Sequence, residues 1–322
     1  GMLLGTSIVF LLTALIWTYV LVGHLDFMPG GILNGKIEYG LLPLLLGLYA
    51  FGIGKAALMP LHRWLPAAMV APTPVSALLH AVAVVKAGVF TILKVGVYIF
   101  GLDFLAASGA SQWLIWLAAI SIIMASIFAL MQDNLKKRLA YSTVSQLSYI
   151  TLAMALATPM AAVGGGMHIA MHAFGKIALF MCAGAIYVAT KKTEISDMSG
   201  LGKSMPITFT IFAIASFSII GLPPFGGSWS KFLLFVGAIE AEYFVIIVVL
   251  MISSLLNVAY LLPIVARGFF INSAEGKKEN SIKEAPLLCW VPAAIAAVAC
   301  ILLFFYAGLL RDFLLPIVDS SL

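Results

Sequence analysis

Nine apolar runs, separated by short polar or Gly/Pro-containing stretches, take up nearly the whole chain. They cover residues 3–22, 39–70, 75–100, 113–130, 139–157, 167–190, 207–238, 243–270 and 288–310. A bilayer core about 30 Å thick needs roughly 20 apolar residues per crossing helix. In lipid, each backbone polar group must also be satisfied within its own element. The pattern therefore predicts an all-α, polytopic membrane helix bundle with about nine spans. Composition agrees, since 63% of the 322 residues are hydrophobic and 10% charged, against about 45–50% and about 25% in soluble domains. A soluble globule, a disordered chain and a nucleic-acid binder are excluded. The three cysteines, Cys182, Cys289 and Cys300, are widely spaced in apolar surroundings and form neither a disulfide framework nor a zinc pattern. The first residues show no basic stretch and no small-residue cleavage site.

Two runs are too long for one straight helix and carry internal breakers. In 39–70, Gly52 and Gly54 precede Pro60 and Pro66; in 207–238, Gly221, Pro223, Pro224, Gly226 and Gly227 interrupt the run. Proline removes an intrahelical donor and glycine weakens the helix. Each run is expected to be two half-helices around a non-helical elbow, with re-entrant hairpins or simple kinks as the alternatives.

Charge distribution sets the orientation. Counting alternate loops, one side holds Lys136, Lys137, Arg138, Lys191, Lys192, Lys203, Arg267, Lys277, Lys278 and Lys283, and the other only Lys36 and Arg311. The basic side is expected to be cytoplasmic, in the cell membrane. Six cations remain inside or near apolar segments: Lys55, Arg63, Lys86, Lys94, Lys176 and Lys231. Arg63 and Lys94 can snorkel or sit beside an elbow. The other four lie deep in spans or beside breaks, at a cost of about 2.5–3.5 kcal/mol for a central Lys. The Asp and Glu residues fall in loops or at span ends, so intramembrane charge is entirely basic. An amine in apolar surroundings switches between charged and neutral forms with small changes around it, as a proton relay requires.

Histidine adds to this. His168, His172 and Lys176 follow one another at i, i+4 and i+8, along one helical face. Neutral imidazole both donates and accepts, so such a column can pass protons. A metal shared by two histidines and a structural pair bonded to backbone are the alternatives; no third ligand lies nearby in sequence. His80 and Lys86, six residues apart, need not share a face.

The residues from Gly54-Lys55 through Pro60, His62, Trp64, Pro66, Pro72, Pro74 and Ser76 to His80 resemble the signature of the antiporter-like subunits of respiratory complex I. The same signature occurs in the D subunit of multisubunit monovalent cation/proton antiporters and in membrane-bound hydrogenases. Three further stretches resemble the same family in the same order. They are Asp133 to Gln146, His168 to Lys176, and Gly221 to Lys231. The resemblance implies two inverted five-helix repeats around a polar axis. Residues 1–110 would be the C-terminal part of the first repeat, 111–271 the second, and 272–322 a cytoplasmic loop with the last helix. It also implies a proton relay of Lys55, His80, Lys86, His168, His172, Lys176 and Lys231. The His80 to Val89 stretch leans towards the cation/proton antiporter, exchanging protons for Na⁺ or K⁺, over a proton-pumping subunit of a redox complex. Family members begin several helices earlier, and their glutamate partner for the lysine matched by Lys55 has no counterpart in this sequence. Other membrane subunits are the expected partners, and those helices are expected either from a separate chain among them or from a longer form of this chain. The sequence carries no cysteine cluster, dinucleotide fingerprint or haem-ligand pattern. No cofactor or metal is therefore expected, and the driving energy must come from an ion gradient or another subunit.

Overall fold

The computed structural model describes residues 1–81, 83–271 and 282–318, with Met2, His80 and Ala81 by backbone alone. Lys277 and Lys278, assigned above to the basic side, lie outside the described residues. Among those described, the secondary structure is helical, with one isolated bridge between Asn134 and Glu194. Thirteen helices carry the architecture. They are α1 (Leu3–Val22), α2 (Leu42–Gly52), α3 (Thr73–Ala81), α4 (Val84–Val95), α5 (Leu102–Ser108), α6 (Gln112–Met131), α7 (Leu135–Leu156), α8 (Pro159–Thr190), α9 (Pro206–Ile220), α10 (Gly227–Glu240), α11 (Phe244–Phe270), α12 (Leu287–Phe305) and α13 (Ala307–Val318).

Six described segments are long and apolar enough to cross a bilayer: α1, Thr73–Phe100 (α3 with α4), α6, α8, α11 and α12. The other three expected spans are the two broken runs and α7. Helix α7 is less apolar because it opens on Lys136, Lys137 and Arg138 and carries a polar stretch from Tyr141 to Tyr149.

Both breaks are present. The first run stops at Gly52, passes through a tight turn at Gly54–Ala56 and resumes as one short helix, Trp64–Ala67. Ala57 there has φ +55°, Pro60 follows a cis bond, and Trp64 Nε1 donates to Gly54 O (3.1 Å), tying the two sides of the elbow together. Pro66 does not break the helix as expected. It sits in the first turn of Trp64–Ala67, where a missing N–H costs little. In the second run, α9 ends on Gly221 (φ +91°), Pro224 follows a cis bond, and α10 starts at Gly227.

Two boundaries differ from expectation. Helix α8 starts at Pro159, eight residues before 167, capped by Thr158, whose side chain accepts from Ala161 N. The three glycines at 164–166 are part of the helix and let neighbours pack directly against it. A β-carbon at Gly164, Gly165 or Gly166 would meet Leu233, Ala153 or Leu314 at 3.0, 2.7 and 3.0 Å. The last span is also divided: α12 stops at Phe305 and, after a turn at Tyr306, α13 packs Leu310 and Leu314 with Met167 and Met171 of α8.

Helix α8 is the axis of the bundle, in contact with α3, α4, α7, α9, α10, α12 and α13. At its basic end the chain closes on itself: Leu135 N donates to Thr193 O (3.0 Å), Ile195 N to Asp133 O (2.9 Å) and Asn134 Nδ2 to Glu194 Oε1 (2.9 Å). Glu284 caps α9 from the connection before α12. Its Oε1 accepts from Ile207 N (2.6 Å) and Thr208 N (3.3 Å), and its Oε2 from Thr208 Oγ1 (2.6 Å).

Candidate functional site: a buried lysine–histidine array

Among the described residues, Lys86, Arg138, Lys176 and Lys231 are buried with His62, His168 and His172, and no Asp or Glu is buried. Buried amines without carboxylates need neutral acceptors, because an unpaired buried charge is costly. Each lysine has them.

On α4, Lys86 Nζ lies 2.5 Å from His172 Nδ1 on α8. A charged Lys86 donates there, and a protonated His172 donates to a neutral Lys86. One turn along α8, His168 stacks on His172 with centroids 5.8 Å apart and an interplanar angle of 22°. His168 Nδ1 is 2.9 Å from Ser230 Oγ, the residue before Lys231 on α10. Its other face stacks on Tyr149 of α7 (5.6 Å, 18°), and Lys231 Nζ lies 5.2 Å from that tyrosine's ring centroid, within cation–π range. Lys86, His172, His168, Tyr149 and Lys231 thus form one continuous line across four helices.

Lys231 projects into the second break. Its Nζ donates to Ile220 O (2.8 Å), the last carbonyl of α9, whose C-terminal dipole favours a cation. It also reaches Ser254 Oγ (3.4 Å) and Asn257 Oδ1 (3.1 Å) on α11. Gly221 makes room for this stem: a β-carbon there would lie 2.8 Å from Lys231 Cδ. Lys176 is fully buried and turns the other way, donating to Ser142 Oγ (2.7 Å) and Leu139 O (3.2 Å) on α7.

Not all expected residues meet in this line. The column at 168, 172 and 176 divides, with its histidines facing Lys86 and Lys231 and its lysine facing α7. Lys55, expected deep beside the first break, is exposed. Its backbone packs against α4 where a side chain at Gly88 would overlap it, two residues from Lys86. The side chain of His80 lies outside the described residues. No group of three or more potential metal ligands occurs among the described residues.

Several polar residues of the array were not singled out from the sequence: Ser142, Gln146 and Tyr149 on α7, Ser230 on α10, and Asn257 and Tyr260 on α11. A signal existed for the last pair. Ser253, Asn257 and Tyr260 recur at i, i+4 and i+7, a polar stripe on an otherwise apolar span. Arg138, counted above as a loop charge, is buried and donates to Gln132 O (2.8 Å), Tyr260 O (3.1 Å) and Leu130 O (3.4 Å). A groove of about 740 Å³ lies at the basic end, beside Lys136 and Lys192, and none of the buried lysines lines it.

Comparison with known proteins gives the same fold. The chain is similar to a chain of the respiratory complex I from Thermus thermophilus with bound NADH, with TM-score 0.82 and 24% identity over 99% of this chain and 68% of that one. It is also similar to a chain of the Mrp complex from Dietzia sp. DQ12-45-1b, with TM-score 0.76 and 21% identity over 96% and 65%. In sequence it is 39% identical over 214 residues to a probable K(+)/H(+) antiporter subunit of Rhizobium meliloti (strain 1021), covering 66% of this chain and 21% of that protein. It is 36% identical over 258 residues to NADH-quinone oxidoreductase subunit N of Desulforudis audaxviator (strain MP104C), covering 77% and 51%. The chain thus spans about half or less of the length of these two relatives. The family model described as NADH:quinone oxidoreductase/Mrp antiporter, TM, matches residues 2–257. The chain belongs to this NADH:quinone oxidoreductase/Mrp antiporter family.

Proposed function

We propose that the chain is the proton-translocating subunit of a multisubunit monovalent cation (Na⁺ or K⁺)/proton antiporter, and that protons move through its lysine–histidine array. The reading rests on one observation above all: Lys86 and His172 share a short hydrogen bond inside a bundle whose buried cations have no buried carboxylate among the described residues. A fixed carboxylate would hold a lysine charged; histidine, hydroxyl, amide and carbonyl partners accept either form. Lys86, His172, His168 and Lys231 carry the proton along the line, with Lys176 as a branch. His80 and the exposed Lys55 act at the first break, where Lys55 faces a neighbouring subunit or helix that supplies its partner.

The basic loops face the cytoplasm, and the chain works inside a hetero-oligomeric assembly of membrane subunits. The two breaks belong to two inverted helix sets, residues 1–110 and 111–271, with 272–322 appended. Similarity to a complex I-type subunit supports a second reading, a proton-pumping module of a redox complex or membrane-bound hydrogenase. Flavin and iron–sulfur clusters in the purified assembly would select it.

The test is cation-dependent proton flux in inverted vesicles containing the full complex. Lys176→Ala and Lys231→Ala are each expected to abolish it. Normal flux with normal assembly would refute the roles given to these lysines.

A further inference from the structure

Lys176 and Lys231 stand on different helices, α8 and α10, and a single line of fully buried side chains joins them. Lys176 Nζ donates to Ser142 Oγ (2.7 Å), and Tyr260 OH donates to the same oxygen (2.8 Å). The Asn257 amide satisfies its neighbours in one orientation. Its oxygen accepts from Lys231 Nζ (3.1 Å) and Gln146 Nε2 (3.2 Å), while its nitrogen donates to Tyr260 OH (2.5 Å) and Ser253 O (3.3 Å). Ser142, Asn257 and Tyr260 are inaccessible to solvent, so the direction of each bond is set by its neighbours.

The phenol has one proton. When Asn257 nitrogen donates to it, Tyr260 is left to donate to Ser142, and that orientation follows from Lys231 holding the amide oxygen. A neutral Lys231 has a lone pair and accepts from the amide nitrogen once the amide has turned by half a revolution. The amide oxygen then faces Tyr260, whose proton swings onto it. Ser142 Oγ, which accepts from both Tyr260 and Lys176, then loses the first donor, and both its lone pairs are left to a charged Lys176. Gln146 can follow the turn, because its buried Oε1 has no hydrogen-bond partner among the described residues and can accept from the rotated amide.

We propose that Asn257, Tyr260 and Ser142 form a reversible hydrogen-bond bridge that makes the charge state of Lys176 depend on that of Lys231. The proposal rests on the proton-relay reading above and adds a coupling element to it. Within the bridge each proton stays on its own heavy atom and only its direction reverses, so no covalent bond forms or breaks. The bridge couples and does not conduct, since the asparagine amide has no readily exchanged protonation state. Charge on Lys231 favours a neutral Lys176, and loss of that charge favours a protonated one. Such coupling passes a vacancy along the array without a carboxylate between its two ends.

The titratable and charged groups facing the bridge are Lys86 on α4, Arg138 and Tyr149 on α7, His168 and His172 on α8, and Lys231 on α10; α9 presents the Ile220 carbonyl. The experiment measures cation-dependent proton flux against pH in inverted vesicles of the full complex carrying Tyr260→Phe, Ser142→Ala or both. Each single variant is expected to displace the flux–pH profile by about half a unit to one unit, the equivalent of one net hydrogen bond. The double variant should move it no further than the larger single shift, because both substitutions cut one line. A wild-type profile in either assembled single variant, or shifts that add in the double, would overturn the bridge. If Tyr260→Phe fails to assemble, the Ser142→Ala profile decides alone. Full flux in Lys176→Ala and Lys231→Ala would instead overturn the relay itself and the bridge with it. Lost flux in those two with an unmoved Ser142→Ala profile overturns only the bridge.

Discussion

The second break makes a quantitative claim through Gly221→Ala. Gly221 ends α9 at φ +91°, and a non-glycine residue held outside the common backbone regions costs about 1–3 kcal/mol. The added methyl meets Lys231 Cδ at 2.8 Å, so the stem must retreat by about 0.6 Å to reach the 3.4 Å edge of ordinary contact. A retreat of that size along the bond takes the 3.1 Å contact to Asn257 outside hydrogen-bond range. It also strains the 2.8 Å bond to Ile220 O. Hydrogen bonds to charged groups are worth about 1.5–3 kcal/mol. If the relay needs Lys231 in place, flux per assembled complex should fall about ten- to a hundredfold. Gly226→Ala is the control from the same elbow. Its backbone is unstrained at φ −53°, and the new methyl meets Leu303 Cβ at 2.8 Å without touching Lys231. Overpacking there costs about 1–3 kcal/mol of stability, with flux per assembled complex retained. Flux in inverted vesicles, normalised to assembled complex, separates the two. Equal losses in both variants, or full flux in Gly221→Ala, would refute the argument that the glycine exists to seat the lysine.

Two other predictions concern stability. Glu284→Ala removes the carboxylate that caps α9 and should cost about 1–2 kcal/mol, read as a lowered melting temperature of the solubilised complex, with Glu284→Gln intermediate. Arg138→Lys leaves buried carbonyls among Leu130, Gln132 and Tyr260 unpaired, because one ammonium cannot reproduce a planar fork. A loss of about 1–3 kcal/mol per orphaned group is expected. The same melting assay should detect it.

The sequence exposed what is rare in it. Lysines and histidines stand out in an apolar chain, so Lys86, His168, His172, Lys176 and Lys231 were legible, as were the elbows marked by Pro60 and by Gly221 to Pro224. Their partners were not. The contact between Lys86 and His172 joins residues 86 positions apart, and spacing along one helix says nothing about which neighbour it will face. Hydroxyls were hidden for another reason. Serine and threonine in membrane helices usually bond their own preceding turn, as Thr18 does with Ala14 O (2.8 Å), so Ser142 looks no different from them until α11 is laid alongside. Lys55 shows the opposite failure. A lysine beside a break reads as buried, yet the elbow brings its backbone to α4 and turns its side chain outward.

The chemistry of the acceptors divides the three buried lysines. Lys176 and Lys231 are held by carbonyl, hydroxyl and amide oxygens. These stabilise an ammonium but do not take its proton. Lys86 is held by an imidazole nitrogen, which can. A proton can therefore change owner directly between Lys86 and His172, whereas at the other two positions it must arrive or leave by another route. In the proposed relay His168 serves Lys231, the residue next to its partner Ser230. It lies between His172 and Ser230; when the single Ser230 proton points to Gly227 O (3.2 Å), His168 Nδ1 is the donor in that bond. Its Nε2 is then the basic nitrogen, buried and without a hydrogen-bond partner among the described residues. In the proposed relay the two imidazoles are thus the groups that pass a proton on, and the lysines on either side are the sites at which charge rests. Under the proposed relay, that division lets the array work without a buried carboxylate among the described residues: histidines move the proton, and neutral dipoles hold it where it stops.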